Sequence, residues 1–84
     1  MSHIFAAGNT VVPAVLALEA LGFKVDVTQA AEIPMCTATR GAESYAAEDP
    51  VTVLGLVRLV EIRGWDWGAT DAEIDATFQR FPLL

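Results

Sequence analysis

One stretch constrains the fold more than any other: Asp49-Pro50-Val51-Thr52-Val53-Leu54-Gly55-Leu56-Val57-Arg58-Leu59-Val60-Glu61-Ile62-Arg63-Gly64. It carries a start signal, a helical body and a stop signal. Asp49 is placed to cap the first free backbone N–H groups, and its charge suits the positive end of a helix dipole. Pro50, at the first helical position, gives up no hydrogen bond and already has a helical φ. Gly64 supplies the left-handed residue that commonly ends a helix, just after Arg63. Val53, Leu56, Val57 and Val60 recur at i, i+3, i+4 and i+7 and form one apolar stripe. Val51, Leu54, Leu59 and Ile62 lie mostly off that stripe. A helix this apolar is covered on more than one side. The expected first cover is a sheet, so what covers the second side becomes the main question.

The chain before this helix reads as a second apolar rod and three strands. His3 to Ala7 is short and apolar, and reads as an added strand or as an arm packed on a neighbour. Val11 to Leu21 reads as the first helix, with Asn9 or Thr10 as cap and Pro13 harmless in the first turn. Glu19 is its one charge, which predicts burial on two faces. Gly22 ends it, with Phe23 folding back onto Leu18. Phe23-Lys24-Val25-Asp26-Val27-Thr28-Gln29 alternates apolar and polar, the pattern of a strand with one wet face. Ala30 to Glu32 makes a turn. Ile33 to Arg40 is the second strand, with Pro34 near its start, where a missing donor is tolerated. Arg40-Gly41 turns into a third strand, Ala42 to Ala47. Short links between sequential strands favour an antiparallel meander. After the major helix and a loop, Thr70-Asp71-Ala72-Glu73 spells a capping box for a last helix ending near Arg80. Ile74, Phe78 and Phe81 line one side of that helix; Asp71, Asp75 and Gln79 line the other. The expectation is one α+β domain over residues 1–84, in the order α-β-β-β-α-α. Its sheet is small, antiparallel and three-stranded, with a possible extra N-terminal strand.

At 84 residues, such a domain buries only roughly 60% of the surface that its unfolded chain exposes. Small domains then need a disulfide, a metal or a partner. Cys36 is the only cysteine and His3 the only histidine, so neither a disulfide within the chain nor a Cys/His zinc site is open. A hydrophobic content of 54% without a staple points to oligomerisation. The net charge of −6 repels phosphate backbones and anionic lipid, which argues against nucleic-acid and membrane partners. No apolar run reaches the length of a membrane span. The start Met-Ser-His-Ile-Phe lacks the basic segment and long apolar core of a secretion signal. These features, with one unpaired cysteine, lead us to expect an intracellular, cytoplasmic protein.

The order α-β-β-β-α superficially resembles the double-stranded-RNA-binding domain, over most of the chain. That family needs lysines at the start of its last helix and basic loop residues. Here the corresponding helix starts Asp49-Pro50-Val51-Thr52, so the resemblance stops at topology and implies no RNA binding.

The residues that carry chemistry elsewhere read as structural here. Gly8-Asn9-Thr10 before a helix has the form of an anion site, but one glycine with no nearby Lys or Arg reads as a turn and cap. No dinucleotide fingerprint or P-loop is present. Cys36 as a nucleophile needs a base or a positive neighbour, for which His3 and Arg40 are the candidates; as a lone thiol it reads as a small buried hydrophobe. His3 lies near a terminus, where catalytic precision is hard to hold. Asp66, Asp71, Glu73 and Asp75 invite a calcium reading. An EF-hand frame counted from Asp66 puts Gly68 and Thr70 at the third and fifth ligand positions, and fails. We therefore expect no catalytic residues, no cofactor and no metal, and no enzymatic role.

Arg63-Gly64-Trp65-Asp66-Trp67 is different, because paired tryptophans beside an arginine have the composition of a binding hot spot. The plainer alternative is that one indole caps the core between the last two helices and the other anchors the loop. The functional expectation is a protein-interaction module acting as a homodimer or small subunit. Arg58, Glu61, Ile62, Trp65 and Trp67 are the candidate contact residues, with the first helix as a further surface. A second expectation is an acidic inhibitor or immunity-type protein that masks a basic partner surface.

Overall fold

Asp49 caps the major helix as its place before Pro50 predicts. Its carboxylate accepts the Thr52 backbone N–H at 2.8 Å and the Thr52 hydroxyl at 2.8 Å. In the computed structural model, which describes residues 2–5, 8–30 and 32–84, the helices are α1 (Val11–Ala20), α2 (Pro50–Arg63) and α3 (Asp71–Arg80). The strands are β1 (Lys24–Ala30), β2 (Ile33–Arg40) and β3 (Glu43–Ala47). The architecture is α+β, in the order α-β-β-β-α-α, as the sequence patterns predict.

The sheet is an antiparallel meander with β2 in the centre. Its register pairs Val25 with Ala38 and Val27 with Cys36, then Ala38 with Tyr45 and Cys36 with Ala47. Side chains alternate across a strand, so Val25, Val27, Cys36, Ala38, Tyr45 and Ala47 share one face. Both α1 and α2 pack on that face. Lys24, Asp26, Thr37, Thr39 and Ser44 fall on the other, the wet face that the β1 alternation predicts. Pro34 lies beyond the end of β3, whose pairing with β2 stops at Cys36. Even in a central strand, its missing N–H therefore costs no bond to β3.

The core consists of Leu18, Phe23, Cys36, Ala38, Tyr45, Val53 and Val57. Leu18 and Phe23 meet through the helix end, where the Phe23 N–H donates to the Leu18 carbonyl at 3.0 Å across Gly22 at φ 92°. The last helix carries the full capping box: Thr70 accepts the Glu73 N–H, and Glu73 accepts the Thr70 N–H.

Four expectations are corrected. His3, Ile4 and Phe5 form no strand, with Ile4 and Phe5 exposed; Ala6 and Ala7 lie outside the described residues. Part of the expected Ala30–Glu32 turn, Ala31, lies outside them too. Winding begins before α1, in a 3-10 turn over Gly8–Thr10, so Thr10 has helical backbone rather than the extended backbone of a capping residue. Burial of α1 is one-sided: Ala14 and Leu18 are buried, whereas Val12 and Leu16 are 65% and 59% exposed. A three-stranded sheet offers α1 one apolar face, and α2 takes part of it. Finally, Gly64 ends α2 at φ 81° and ψ −179°, positive in φ but extended in ψ.

No residue of α3 is buried. The consequence shows in the whole chain. Its accessible surface is 6560 Å², against about 4,900 Å² for a compact monomer of 9.0 kDa. The radius of gyration is 15.1 Å, where a compact domain of 84 residues has about 12 Å.

Candidate interaction surface

The tryptophan loop between α2 and α3 is held in place from both ends. Arg63, in the last turn of α2, donates through Nε to the Trp67 carbonyl at 2.9 Å. Its Nη2 donates to the Gly68 carbonyl and to Glu73 Oε1, each at 3.4 Å. The capping-box carboxylate is thus also the ion partner of Arg63. Bonds from the Thr70 backbone, with the Arg63 charge, hold the Glu73 carboxyl below its ordinary range.

Trp65 stacks on Tyr45 of β3, with ring centroids 5.5 Å apart and planes 20° from parallel. Tyr45 in turn meets Phe23 edge-on at 5.7 Å. The Arg40 guanidinium lies 4.2 Å above the Phe23 ring. A ladder of cation and three rings therefore runs from the sheet end to the loop. Arg40 is fixed by Glu43 at 2.8 Å and by the Leu21 carbonyl at 2.8 Å. The bond to Glu43 raises the Arg40 pKa and lowers that of Glu43. Burial pushes the Tyr45 hydroxyl up, and the Glu43 charge pushes it further.

Neither indole caps the core between the last two helices, as the plainer sequence reading expects. Trp65 is 60% exposed and Trp67 50% exposed. Together with Tyr45, Leu56, Leu59 and Val60 they line a shallow groove between α2 and β3, a free edge of the sheet. Ile62 is exposed in the last turn of α2. Arg58 and Glu61 pair with each other at 3.0 Å on the exposed side of the same helix. Such a pair is worth little to stability, so both remain available to a partner.

Cys36 lies in the core. Burial pushes its thiol pKa up, and the Asp49 charge adds to this. The environment thus disfavours the thiolate that a nucleophile needs. Arg40, named with His3 as a possible activator, is committed to Glu43 and the Leu21 carbonyl. Among the described residues, no helix is long and apolar enough to cross a membrane. Sequence reasoning misses Tyr45, Phe23 and Arg40 as the support beneath Trp65, since nothing local pairs residues so far apart in the chain.

Comparison with family models, with curated proteins and with solved structures finds no match to this chain.

Proposed function

We propose that this chain is a protein-interaction module that works as a homodimer or small subunit. The observation that carries the reading is the uncovered apolar surface. The whole chain exposes about 1,700 Å² more surface, polar and apolar together, than a compact monomer of its mass. Val12 and Leu16 of α1, Ile62, the two tryptophans and the stripe of α3 all contribute to it. Exposed apolar patches mark sites of association. Arg58, Glu61, Ile62, Trp65 and Trp67 are the proposed contact residues at the α2 end, with Trp65 pre-ordered by its stack on Tyr45. A reducing, cytoplasmic setting belongs to this reading and is supported by the single buried thiol.

The acidic-inhibitor reading draws less support. Of the eleven acids, Asp49 and Glu73 are engaged in caps, and Glu43 and Glu61 in ion pairs. The two capping carboxylates and Glu43 already have partners within the chain, which reduces the charge left to meet a basic surface. Sedimentation at micromolar concentration tests the proposal: twice the 9.0 kDa chain mass is the expected result. A mass of one chain at all concentrations would sink the homodimer.

A further inference from the structure

Resting on the reading of this chain as an interaction module, we propose that the outer edge of β3 takes an extended segment of another protein as a fourth strand. One apolar side chain of that segment enters the groove beside Trp65.

The hairpin turn fixes which backbone groups face outward. Arg40 and Glu43 pair across the two-residue turn Gly41-Ala42. Residues that close so short a turn exchange both of their hydrogen bonds. Bonded and non-bonded pairs then alternate, and the register runs unbroken from Glu43 to Ala47. Glu43, Tyr45 and Ala47 therefore bond to β2, while the N–H and C=O groups of Ser44 and Ala46 point away from it. β3 has no strand on that side. Among the described residues, no backbone group of another element bonds to them. An extended backbone supplies donors and acceptors at this two-residue spacing, as in strand addition. A helix does not, since its own backbone groups are used internally.

The groove marks β3 rather than β1 as the accepting edge. Ser44, Tyr45 and Ala46 all line it. Side chains alternate across a strand, so three successive residues reach one groove where the strand's edge opens into it. β1, the other edge, carries Lys24 and Asp26 on its wet face, the kind of charge that keeps edges unpaired. The wet-face residues of β3 are Ser44 and Ala46.

The same geometry sets the side chain that enters. In a strand laid antiparallel on β3, the residue opposite Tyr45 forms a non-hydrogen-bonded pair with it and points to the same face. That face carries α2, so the side chain enters between Leu56, Leu59, Val60 and the two tryptophans. The groove holds about 190 Å³, roughly the liquid volume of six waters, which suits one large side chain. No charged residue lines it, so a charged side chain there would be left unpaired. A second copy's β3 does not fill it. The residues that such a strand turns to this face are Glu43, Tyr45 and Ala47. Glu43 is charged and paired with Arg40, Tyr45 is 6% exposed beneath its own Trp65, and Ala47 is too small. The occupant is therefore a different polypeptide.

A display library of random heptapeptides, joined to the coat protein at both ends and panned against the full chain, tests this. Enriched sequences should share one apolar position. Synthetic copies are then titrated by tryptophan emission. N-methylation of the residue on either side of that position removes an N–H aimed at Ser44 or Ala46. It should weaken binding roughly tenfold, the effect of one hydrogen bond left unmade. N-methylation at the apolar residue itself, whose N–H points away from β3, should weaken it less. Ala46→Pro removes an outward N–H and no bond to β2, so it should weaken binding similarly with circular dichroism unchanged. Ser44→Pro replaces it if it misfolds. Equal loss at all three N-methylated positions, or full binding to the proline variant, would mean that the indoles bind without the edge, and would overturn strand addition. A library with nothing enriched over the coat protein alone would overturn it too. Sedimentation of the chain by itself separates the two proposals: a homodimer that enriches no peptide loses only the fourth strand, and a monomer that enriches none loses both.

Discussion

Gly64 bears the sharpest single-residue demand in the chain. Its φ of 81° with ψ of −179° is a region essentially closed to residues with a Cβ. Nothing stands within 4 Å of where a Cβ would go, so the cost of a side chain there is conformational and not steric. Gly64→Ala should therefore lose roughly 1–3 kcal/mol, read by urea unfolding. It should also shift tryptophan emission, because the loop carrying Trp65 leaves α2 at this residue. Unchanged stability together with unchanged emission would show that the loop does not depend on this backbone. The need for a glycine here was legible in the sequence, since Gly64 follows the last apolar-periodic turn. Its extended ψ was not, because that is set by where Arg63 pulls the Trp67 and Gly68 carbonyls. The stack of Trp65 on Tyr45 was equally out of reach: two aromatic residues twenty positions apart carry no local signal of contact.

At the level of elements, what the sequence disclosed best were the ends. Asp49-Pro50, Thr70 to Glu73, Gly22 and Gly64 are local devices, and each bounds its helix where the pattern put it. Coverage was less legible. The hydrophobicity of α1 implied two buried faces, but no periodicity states how many neighbours the fold supplies. The caps also imply an acid response. Asp49 is held below its ordinary range by the Thr52 backbone and hydroxyl. Glu43 is held down by its bond to Arg40, and Glu73 by the Thr70 backbone. All three have lower pKa values folded than unfolded. Their contribution is complete above the unfolded values, near 3.8 for Asp and 4.5 for Glu, and is lost as pH falls through the lower folded values. The thermal midpoint should vary little between about pH 7 and pH 5.5 on account of these groups and fall below about pH 4.5. Asp49→Asn should flatten part of that fall, since Asn caps without titrating. An identical acid profile in that variant would remove Asp49 from the account.

For the whole molecule, size and shape pull against each other. A chain this short needs nearly all its apolar surface to fold, yet α3 and the outer face of α1 contribute little to its core. Leu18, Val53 and Val57 are fully buried, but a cluster of seven residues is thin support for 84. Association then becomes part of folding stability, because a partner that binds only the folded chain shifts the unfolding equilibrium by mass action. The thermal midpoint should consequently depend on concentration. Unfolding enthalpy near 0.7 kcal/mol per residue, summed over two chains, gives a fall of roughly 4 °C for each tenfold dilution. Leu18→Ala, which empties the centre of the core at a cost of about 3 kcal/mol, should lower the curve while keeping that slope. Ile62→Lys acts the other way: it alters a proposed contact residue outside the core and should flatten the slope. Calorimetry from micromolar to millimolar chain separates the two. A midpoint of the unaltered chain that holds constant over a hundredfold dilution would mean that each chain folds unaided, with its surplus surface left in water.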